Sequence, residues 1–214
     1  MFILDSDVKG EVAEVTSFPF RLPNEIAHFG FIPKEEDLEP GDLIMFEPKS
    51  RWKLGHHMIK FVQSRCYGEQ HSRWTHAAVY LGDWRVCTAT PRRGVHTHEI
   101  WEQLLSHRLR VRRPKLPLNQ RFQIVVNALA RKGEKYGLSK LIAFYRELDR
   151  LHNVAAHQRI RVVSAAICSD LYADAFFLAS HMVVGQPYNT AFMPADLSAS
   201  DKLVDVSVRW ARLS

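Results

Sequence analysis

Short apolar runs separated by turn residues dominate the chain between residues 38 and 115, and this pattern predicts strands. The first run follows the turn signal Pro40-Gly41-Asp42 and is typical of a short buried strand. The pair Gly82-Asp83 joins two further runs, as in a β-hairpin. The predicted strands cover residues 43–46, 75–82, 84–91, 94–101 and 108–115, the last two as strands or as a strand and a short helix. Connections this short predict an antiparallel sheet.

A spacing of three and four residues between apolar positions replaces this pattern after residue 118 and predicts helices. Segment 119–137 predicts a helix that ends near Gly137. One face of this helix is apolar and is formed by Phe122, Val125, Val126 and Leu129.

Two further segments predict helices of different kinds. Segment 138–151 is strongly amphipathic, whereas segment 164–180 is apolar on almost all sides and predicts a buried helix with Ser164 as its N-cap. A short helix is predicted within residues 56–66 and a last strand within residues 203–210. Strands followed by helices predict an α+β fold.

The length of 214 residues suits one domain. We expect residues 1–37 to form an N-terminal extension packed on a single domain of residues 38–214. The amphipathic helix belongs to a predicted helical insertion at about residues 137–160.

The composition is that of a soluble globular protein, with 46% hydrophobic and 24% charged residues. No apolar run reaches the roughly 18 residues that predict a membrane span. The net charge of +6 favours attraction to anionic surfaces such as cell wall, phospholipid or nucleic acid. The basic residues are scattered, and the densest run, RLRVRRPK (108–115), is expected to be a solvated strand or strand end. No motif for nucleic-acid binding accompanies the charge, so we predict no nucleic-acid partner.

The N-terminal segment MFILDSDVKGEVAEV carries acidic residues and no basic region, so it does not resemble a signal peptide. We expect the protein to be made in the cytoplasm, and either to stay there or to leave by a route that reads no cleavable signal.

Three cysteines, Cys66, Cys87 and Cys168, lie at irregular spacing, which argues against a disulfide framework. Cys168 falls in the first turn or so of the predicted buried helix, where the partial positive charge of the helix end favours a thiolate. A catalytic thiol needs a base, and His76 at the start of a predicted strand is a candidate. A core cysteine and a structural histidine are the alternatives.

Several potential metal ligands fall within about twenty residues, but none shows zinc-finger spacing and no H-E-x-x-H motif is present. These residues are His56, His57, Cys66, His71 and His76. Histidines in solvated loops account for this cluster better than a metal site does. We therefore predict neither a metal nor a cofactor.

Four short motifs occur in one order: EPGDLIMF (39–46), WTHAAVYLGD (74–83), ICSDLYADAF (167–176) and MPADL (193–197). Together they resemble the circularly permuted branch of the NlpC-type papain-fold superfamily, the YiiX-like hydrolases. The resemblance covers roughly residues 38–197. It implies a papain-like α+β fold in which an antiparallel sheet or barrel packs against helices. It also implies that the nucleophile lies at the N-terminus of a buried helix.

The resemblance implies specific roles for individual residues. Cys168 matches the nucleophile, and His76 matches the general base. Thr88 stands where the family has a glutamate or histidine as the third residue of a catalytic triad, the residue that orients the histidine ring. A threonine hydroxyl carries no charge to stabilise an imidazolium. His96 or His98 on the next strand is the alternative third member.

Other residues near these motifs have predicted supporting roles. Asp170 and Trp74 are the candidate substrate-binding residues, and Asp170 is expected to cap the helix or line the pocket. Asp42 is predicted to be structural. The backbone N–H of Cys168 is a natural oxyanion donor because helix N-terminal amides lack intrahelical partners.

The leading functional hypothesis is a cysteine hydrolase that cleaves a peptide bond of cell-wall peptidoglycan through an acyl-enzyme. Without a signal peptide, a signal-independent secretion system would have to deliver it, as with an antibacterial effector that has an immunity partner. One alternative is a lipid acyl hydrolase or acyltransferase of the lecithin:retinol acyltransferase-like type, which needs the same cysteine and histidine. Another is a non-catalytic papain-like binding module.

Overall fold

The structure is a computed structural model, and it describes residues 12–16, 22–49, 54–137, 165–185 and 192–213. The amphipathic segment 138–151, almost all of the predicted insertion and the predicted N-cap Ser164 lie outside the described residues. No helix within these ranges is long and apolar enough to cross a membrane.

The described part of the chain is an α+β structure. Its strands are β1 Val12–Thr16, β2 Phe31–Pro33, β3 Leu43–Pro48, β4 His76–Gly82, β5 Arg85–Thr90, β6 Gly94–Glu99, β7 His107–Pro114, β8 Lys135–Tyr136, β9 Ala165–Ala166, β10 Leu203–Val206 and β11 Trp210–Leu213. Its helices are α1 Asn24–Phe29, α2 Leu54–Gln63, α3 Glu69–Ser72, α4 Trp101–Leu104, α5 Leu118–Ala130, α6 Cys168–Ser180 and α7 Pro194–Ala199, with a 3-10 turn at Glu35–Asp37.

The main sheet has six strands in the order β10-β7-β3-β4-β5-β6, and all neighbours are antiparallel. This confirms the predicted antiparallel sheet. β4 and β5 form the predicted hairpin, in which Asp83 and Trp84 adopt positive φ angles of 48° and 53°. The segment 94–115 forms two strands with the short helix α4 between them.

Side chains alternate between two buried faces of this sheet. Leu43, Ala77 and Val79 pack with helices α5 and α6 on one face. Phe46 and Tyr80 pack on the other face with Trp101, Trp210 and their neighbours. Because both faces are covered, the central strands are apolar at almost every position.

The last predicted strand, at residues 203–210, divides between two sheets. β10 pairs with β7 at the edge of the main sheet. β11 lies in a three-stranded sheet, antiparallel to β2 and parallel to β1.

The helix after β7 ends earlier than predicted and presents a different face to the core. α5 ends at Ala130 rather than near Gly137, and Gly133 follows it with a φ of +91°. Ile124, Val125 and Ala128 are buried, whereas most of the predicted apolar face is exposed.

The arginine-rich strand was expected to be solvated, and this expectation is wrong. β7 lies between β3 and β10, and Arg110 and Arg112 are only 4% and 7% exposed. Their guanidinium groups pair with Asp205 and with backbone carbonyls of residues 197, 198 and 203. Burial is tolerated because these acceptors replace water.

Candidate active site

Cys168 is the first residue of the buried helix α6. Ile167 is the N-cap, and its carbonyl accepts the first helical hydrogen bond from the Leu171 N–H, at 3.0 Å. The first turn of a helix leaves backbone N–H groups without intrahelical acceptors, and these groups give the helix end a partial positive charge. The Cys168 side chain therefore occupies a position where a developing negative charge is stabilised.

Burial controls the resting charge of this thiol. The residue is 5% exposed, and desolvation raises the pKa of Cys168 to about 11, with a smaller contribution from Asp170. The backbone N–H groups of Ala77 and Ser169 act to lower the pKa of Cys168, because their dipoles favour the thiolate. The resting thiol is protonated at neutral pH, so reaction requires a proton acceptor.

His76 opens β4, and its ring is oriented by Thr88 on β5. The Thr88 hydroxyl oxygen lies 3.0 Å from His76 Nε2 and 2.7 Å from the carbonyl oxygen of Ala77. A hydroxyl has one hydrogen, and the carbonyl can only accept, so Thr88 donates to Ala77 and accepts from the Nε2–H of His76. The neutral imidazole then carries its proton on Nε2 and keeps Nδ1 as the basic nitrogen.

Ala77 connects the thiol to the histidine strand. Its backbone N–H acts to lower the pKa of Cys168, and its carbonyl accepts a hydrogen bond from Thr88, whose oxygen in turn contacts His76 Nε2. The paired register of β4 and β5 runs from Gly82–Arg85 to Val79–Cys87, so this contact lies just beyond the regular ladder. The structure thus brings α6 to the end of the β4–β5 pair at which His76 lies.

His96, the alternative third member, makes different contacts. It lies directly opposite Thr88 in the β5–β6 pairing. Its Nδ1 donates to the Gly94 carbonyl at 3.0 Å, and its ring stacks on His98 with centroids 5.5 Å apart. Thr88, rather than His96, supplies the hydrogen bond to His76 Nε2.

The two residues after Cys168 hold the chain that leads into α7. The Ser169 hydroxyl donates to the Phe192 carbonyl at 2.5 Å, and the Phe192 N–H donates to Asp170 Oδ1 at 2.8 Å. One residue later, the Met193 N–H donates to Asp196 Oδ2 at 2.6 Å. The motif ICSD is therefore joined by hydrogen bonds to the residue that precedes MPAD, and Asp170 fixes this neighbouring segment.

Gln63 is a positioning residue that the sequence analysis missed. Its side chain is fully buried, and its amide nitrogen donates to the carbonyls of Ser72 and Trp74 at 3.0 and 2.8 Å. Its amide oxygen accepts from the Ala195 N–H at 2.8 Å. Gln63 thus ties α2 to the segment before His76 and to α7. Nothing in the local sequence distinguishes this glutamine from a solvated one.

Two other residues singled out from the sequence, Trp74 and Asp42, make contacts that stabilise the fold. Trp74 is fully buried in the core between sheet and helices, and its indole N–H donates to the Gln70 carbonyl at 3.1 Å. Its predicted contact with substrate stays a prediction. Asp42 accepts two hydrogen bonds from the guanidinium of Arg113, at 2.9 and 2.8 Å, and its predicted structural role agrees with this pairing.

Comparison with protein-family models finds no match, and comparison with curated proteins finds none either. Among solved structures, the chain is similar to the crystal structure of the metalloprotein yiiX from Escherichia coli O157:H7, DUF1105, with a TM-score of 0.52. The match covers 80% of this chain and 97% of the yiiX chain, at 13% sequence identity.

The name of yiiX describes a metalloprotein, so we tested whether the described residues of this chain fit a metal ion. Within those residues, no group of three or more His, Cys, Asp or Glu side chains is arranged to hold one. His71, from the histidine-rich segment, instead shares a hydrogen bond of 2.9 Å with Ser198. The described donor set does not fit a resident metal. The fold of the chain is similar to that of yiiX, which confirms at the level of the fold the YiiX-like resemblance predicted from the sequence.

Proposed function

We propose that the chain is a cysteine hydrolase that cleaves an amide bond through a thioester intermediate. Cys168 is the nucleophile and His76 is the general base. The observation that carries the proposal is that Cys168 begins the buried helix α6, which packs against the strand β4 that His76 opens, and that the Thr88 hydroxyl holds the His76 ring. The yiiX-like fold supports the proposal because papain-like folds place a cysteine and a histidine in this relation.

The reaction proceeds in two halves. His76 Nδ1 takes the thiol proton, and the sulfur attacks the amide carbonyl carbon to form a tetrahedral oxyanion. The backbone N–H of Cys168 at the start of α6 stabilises this oxyanion. The imidazolium then returns the proton to the leaving amine as the C–N bond breaks. His76 next deprotonates a water molecule, whose oxygen attacks the thioester and releases a carboxylic acid and the free thiol.

The raised pKa of Cys168 determines when the proton moves. Since burial holds the pKa of Cys168 at about 11, the resting enzyme contains a neutral thiol rather than a thiolate. Proton transfer then accompanies attack, and Thr88 holds the ring so that Nδ1 is the acceptor. Without a carboxylate on Nε2, the imidazolium is less stabilised than in a charged triad.

The proposed substrate is a peptide bond in the stem or cross-link of peptidoglycan. The net charge of +6 suits an anionic wall. Access to that substrate requires export from the cytoplasm, as for an antibacterial effector with an immunity partner.

Turnover of defined substrates tests this proposal. Purified peptidoglycan and an acyl-lipid thioester would be incubated with the wild type, Cys168→Ala and His76→Ala. New free amines from peptidoglycan, lost in both variants, are the expected result. Cleavage of the acyl lipid alone would replace the amidase with the lipid acyl hydrolase, and wild-type turnover that persists in Cys168→Ala would refute the nucleophile.

A non-catalytic binding module is the second candidate, and the burial of Cys168 favours it. A thiol that is 5% exposed and protonated does not react without rearrangement. Binding of peptidoglycan fragments without turnover, equal in the wild type and Cys168→Ala, would support this candidate.

A further inference from the structure

Helix α5 exposes an apolar stripe that the rest of the described structure does not cover. Leu118, Phe122, Val126 and Leu129 are 52%, 48%, 56% and 39% exposed. At 3.6 residues per turn, these four positions fall within an arc of about 80° on the helix. An amphipathic helix ordinarily turns such a stripe to the core. Here the core takes the neighbouring positions 124, 125 and 128 instead.

The charges around this stripe are positive. α5 contains no aspartate or glutamate, and Lys115 precedes it while Lys132 follows it, both exposed. The turn after β5 carries the exposed residues Arg92 and Arg93. The strand β6, which follows this turn, is joined to the segment after α5 by reciprocal hydrogen bonds, from Val95 N–H to the residue 134 carbonyl at 2.8 Å and from residue 133 N–H to the Val95 carbonyl at 2.9 Å.

Two carboxylates near the C-terminal end of α5 bind an arginine. Glu134 and Asp174 both bind the guanidinium of Arg131, at 2.8 Å each. Arg131 neutralises one of these two carboxylates, and the exposed Lys132 and Lys135 more than balance the other. The stripe therefore lies between basic groups at both ends of the helix.

We propose that α5 docks this chain on an anionic phospholipid surface. Leu118, Phe122, Val126 and Leu129 enter the boundary between headgroups and acyl chains, and Lys115 and Lys132 contact the lipid phosphates. A helix with an apolar stripe and flanking lysines suits a flat anionic interface, whereas a second copy of this chain would oppose like charges. The surface does not include Cys168 or His76, so docking is independent of the proposed hydrolase activity.

Sedimentation with vesicles tests the proposal on the full chain. We expect binding to vesicles of phosphatidylethanolamine and phosphatidylglycerol, weaker binding to phosphatidylcholine vesicles, and release by salt. Phe122→Ser should weaken binding at least about tenfold, because an apolar group no longer leaves water. Gln123→Ser, at the neighbouring exposed position on the polar side of the same helix, is the matched control and should leave vesicle binding unchanged.

A charge variant keeps the test valid if Phe122→Ser lowers stability. Lys132→Glu should weaken binding to anionic vesicles about fivefold or more, without affecting thermal unfolding. Absence of binding to anionic vesicles, or binding that neither variant weakens, would overturn the proposal. A dimer that Phe122→Ser dissociates, with no vesicle binding, would assign the stripe to a second copy. Cys168→Ala should bind vesicles like the wild type, which separates this outcome from that of the hydrolase.

Discussion

Thr88 is the residue at which the candidate site departs most from a charged triad. Its hydroxyl both donates to Ala77 and accepts from His76, so it selects one tautomer of the imidazole. It supplies no negative charge to the imidazolium that forms during reaction. Because the side chain is fully buried, packing fixes the direction of the hydroxyl. Thr88 therefore acts on orientation more than on electrostatics.

Replacing the Thr88 hydroxyl should distinguish its effect on the orientation of the His76 ring from the effect of the Thr88 side chain on packing. Thr88→Val keeps the shape but removes the acceptor, so we expect kcat to fall by roughly tenfold to a hundredfold, a part of the general-base contribution. Thr88→Ser retains the hydroxyl and should recover most of the activity. Nitrogen chemical shifts of the His76 ring give a readout that loss of stability alone would not move. An Nδ1–H tautomer in the wild type, or an unchanged ring in Thr88→Val, would contradict this role.

At the scale of elements, the first turn of α6 and the start of α7 form one unit. Ser169 and Asp170 hold the backbone of Phe192, and Asp196 holds that of Met193. Their hydrogen bonds place the chain that precedes α7 beside the first turn of α6. This explains physically why the motifs around Cys168 and Pro194 occur together, although 26 positions separate these two residues in the sequence.

Removing the Asp170 carboxylate should loosen this unit. We expect Asp170→Ala to lower the free energy of unfolding by about 1–3 kcal/mol, because the Phe192 N–H loses its acceptor. Hydrogen exchange of the Phe192 amide should accelerate, whereas Asp170→Asn, which retains an acceptor oxygen, should stay near the wild type. Equal exchange in Asp170→Ala and the wild type would show that the contact does not hold the segment.

The elements differed in how far the sequence predicted them. The β4–β5 hairpin and the strand at residues 43–48 were predictable from the local sequence. Turn residues mark the ends of these strands, and an unbroken run of apolar residues marks a strand that is buried on both faces. The placement of Gln63 was not, since its partners lie at Ser72, Trp74 and Ala195, across the fold.

The faces of α5 and β7 were also beyond local prediction. Periodicity identifies an apolar stripe but not which side of a helix meets the sheet, and the stripe of α5 is exposed. The arginines of β7 are buried because Asp205, about 95 residues later in the chain, supplies their carboxylate. The site residues themselves carry motif signals, but the contacts of Ala77 exist only in the folded chain.

At the scale of the whole molecule, buried charge joins the edge strand β10 to its neighbour β7 in the main sheet. Arg110 binds Asp205 through two hydrogen bonds of 2.7 and 3.0 Å, and Arg112 lies 3.4 Å from the same carboxylate. Burial acts to raise the pKa of Asp205, but the hydrogen bond and charge of Arg110 outweigh it and hold that pKa below its usual value. Burial lowers the pKa of Arg112 to about 10, helped by the neighbouring Arg110.

This pairing should make the fold sensitive to acid. A carboxyl with a lowered pKa in the folded state contributes stability above its unfolded value of 3.8, and loses it as pH falls through the folded value. We expect Asp205→Asn to cost about 2–4 kcal/mol at neutral pH and to flatten the loss of stability below pH 4. Denaturant unfolding across acidic pH measures both effects. Parallel curves for the wild type and the variant would contradict the assignment.

The central claim is that His76 activates Cys168, and Cys87 provides an internal standard for testing it. Burial raises the pKa of both thiols to about 11, but Cys87 lies in the core, where its sulfur contacts the Ala128 carbonyl. The measurement is mass mapping of all three cysteines after brief treatment with limiting iodoacetamide near neutral pH, in the wild type and His76→Ala. The account predicts that Cys168 is alkylated much faster than Cys87 and that His76→Ala removes the difference. Equal alkylation of the two thiols in the wild type, or a fast Cys168 that His76→Ala leaves unchanged, would contradict it.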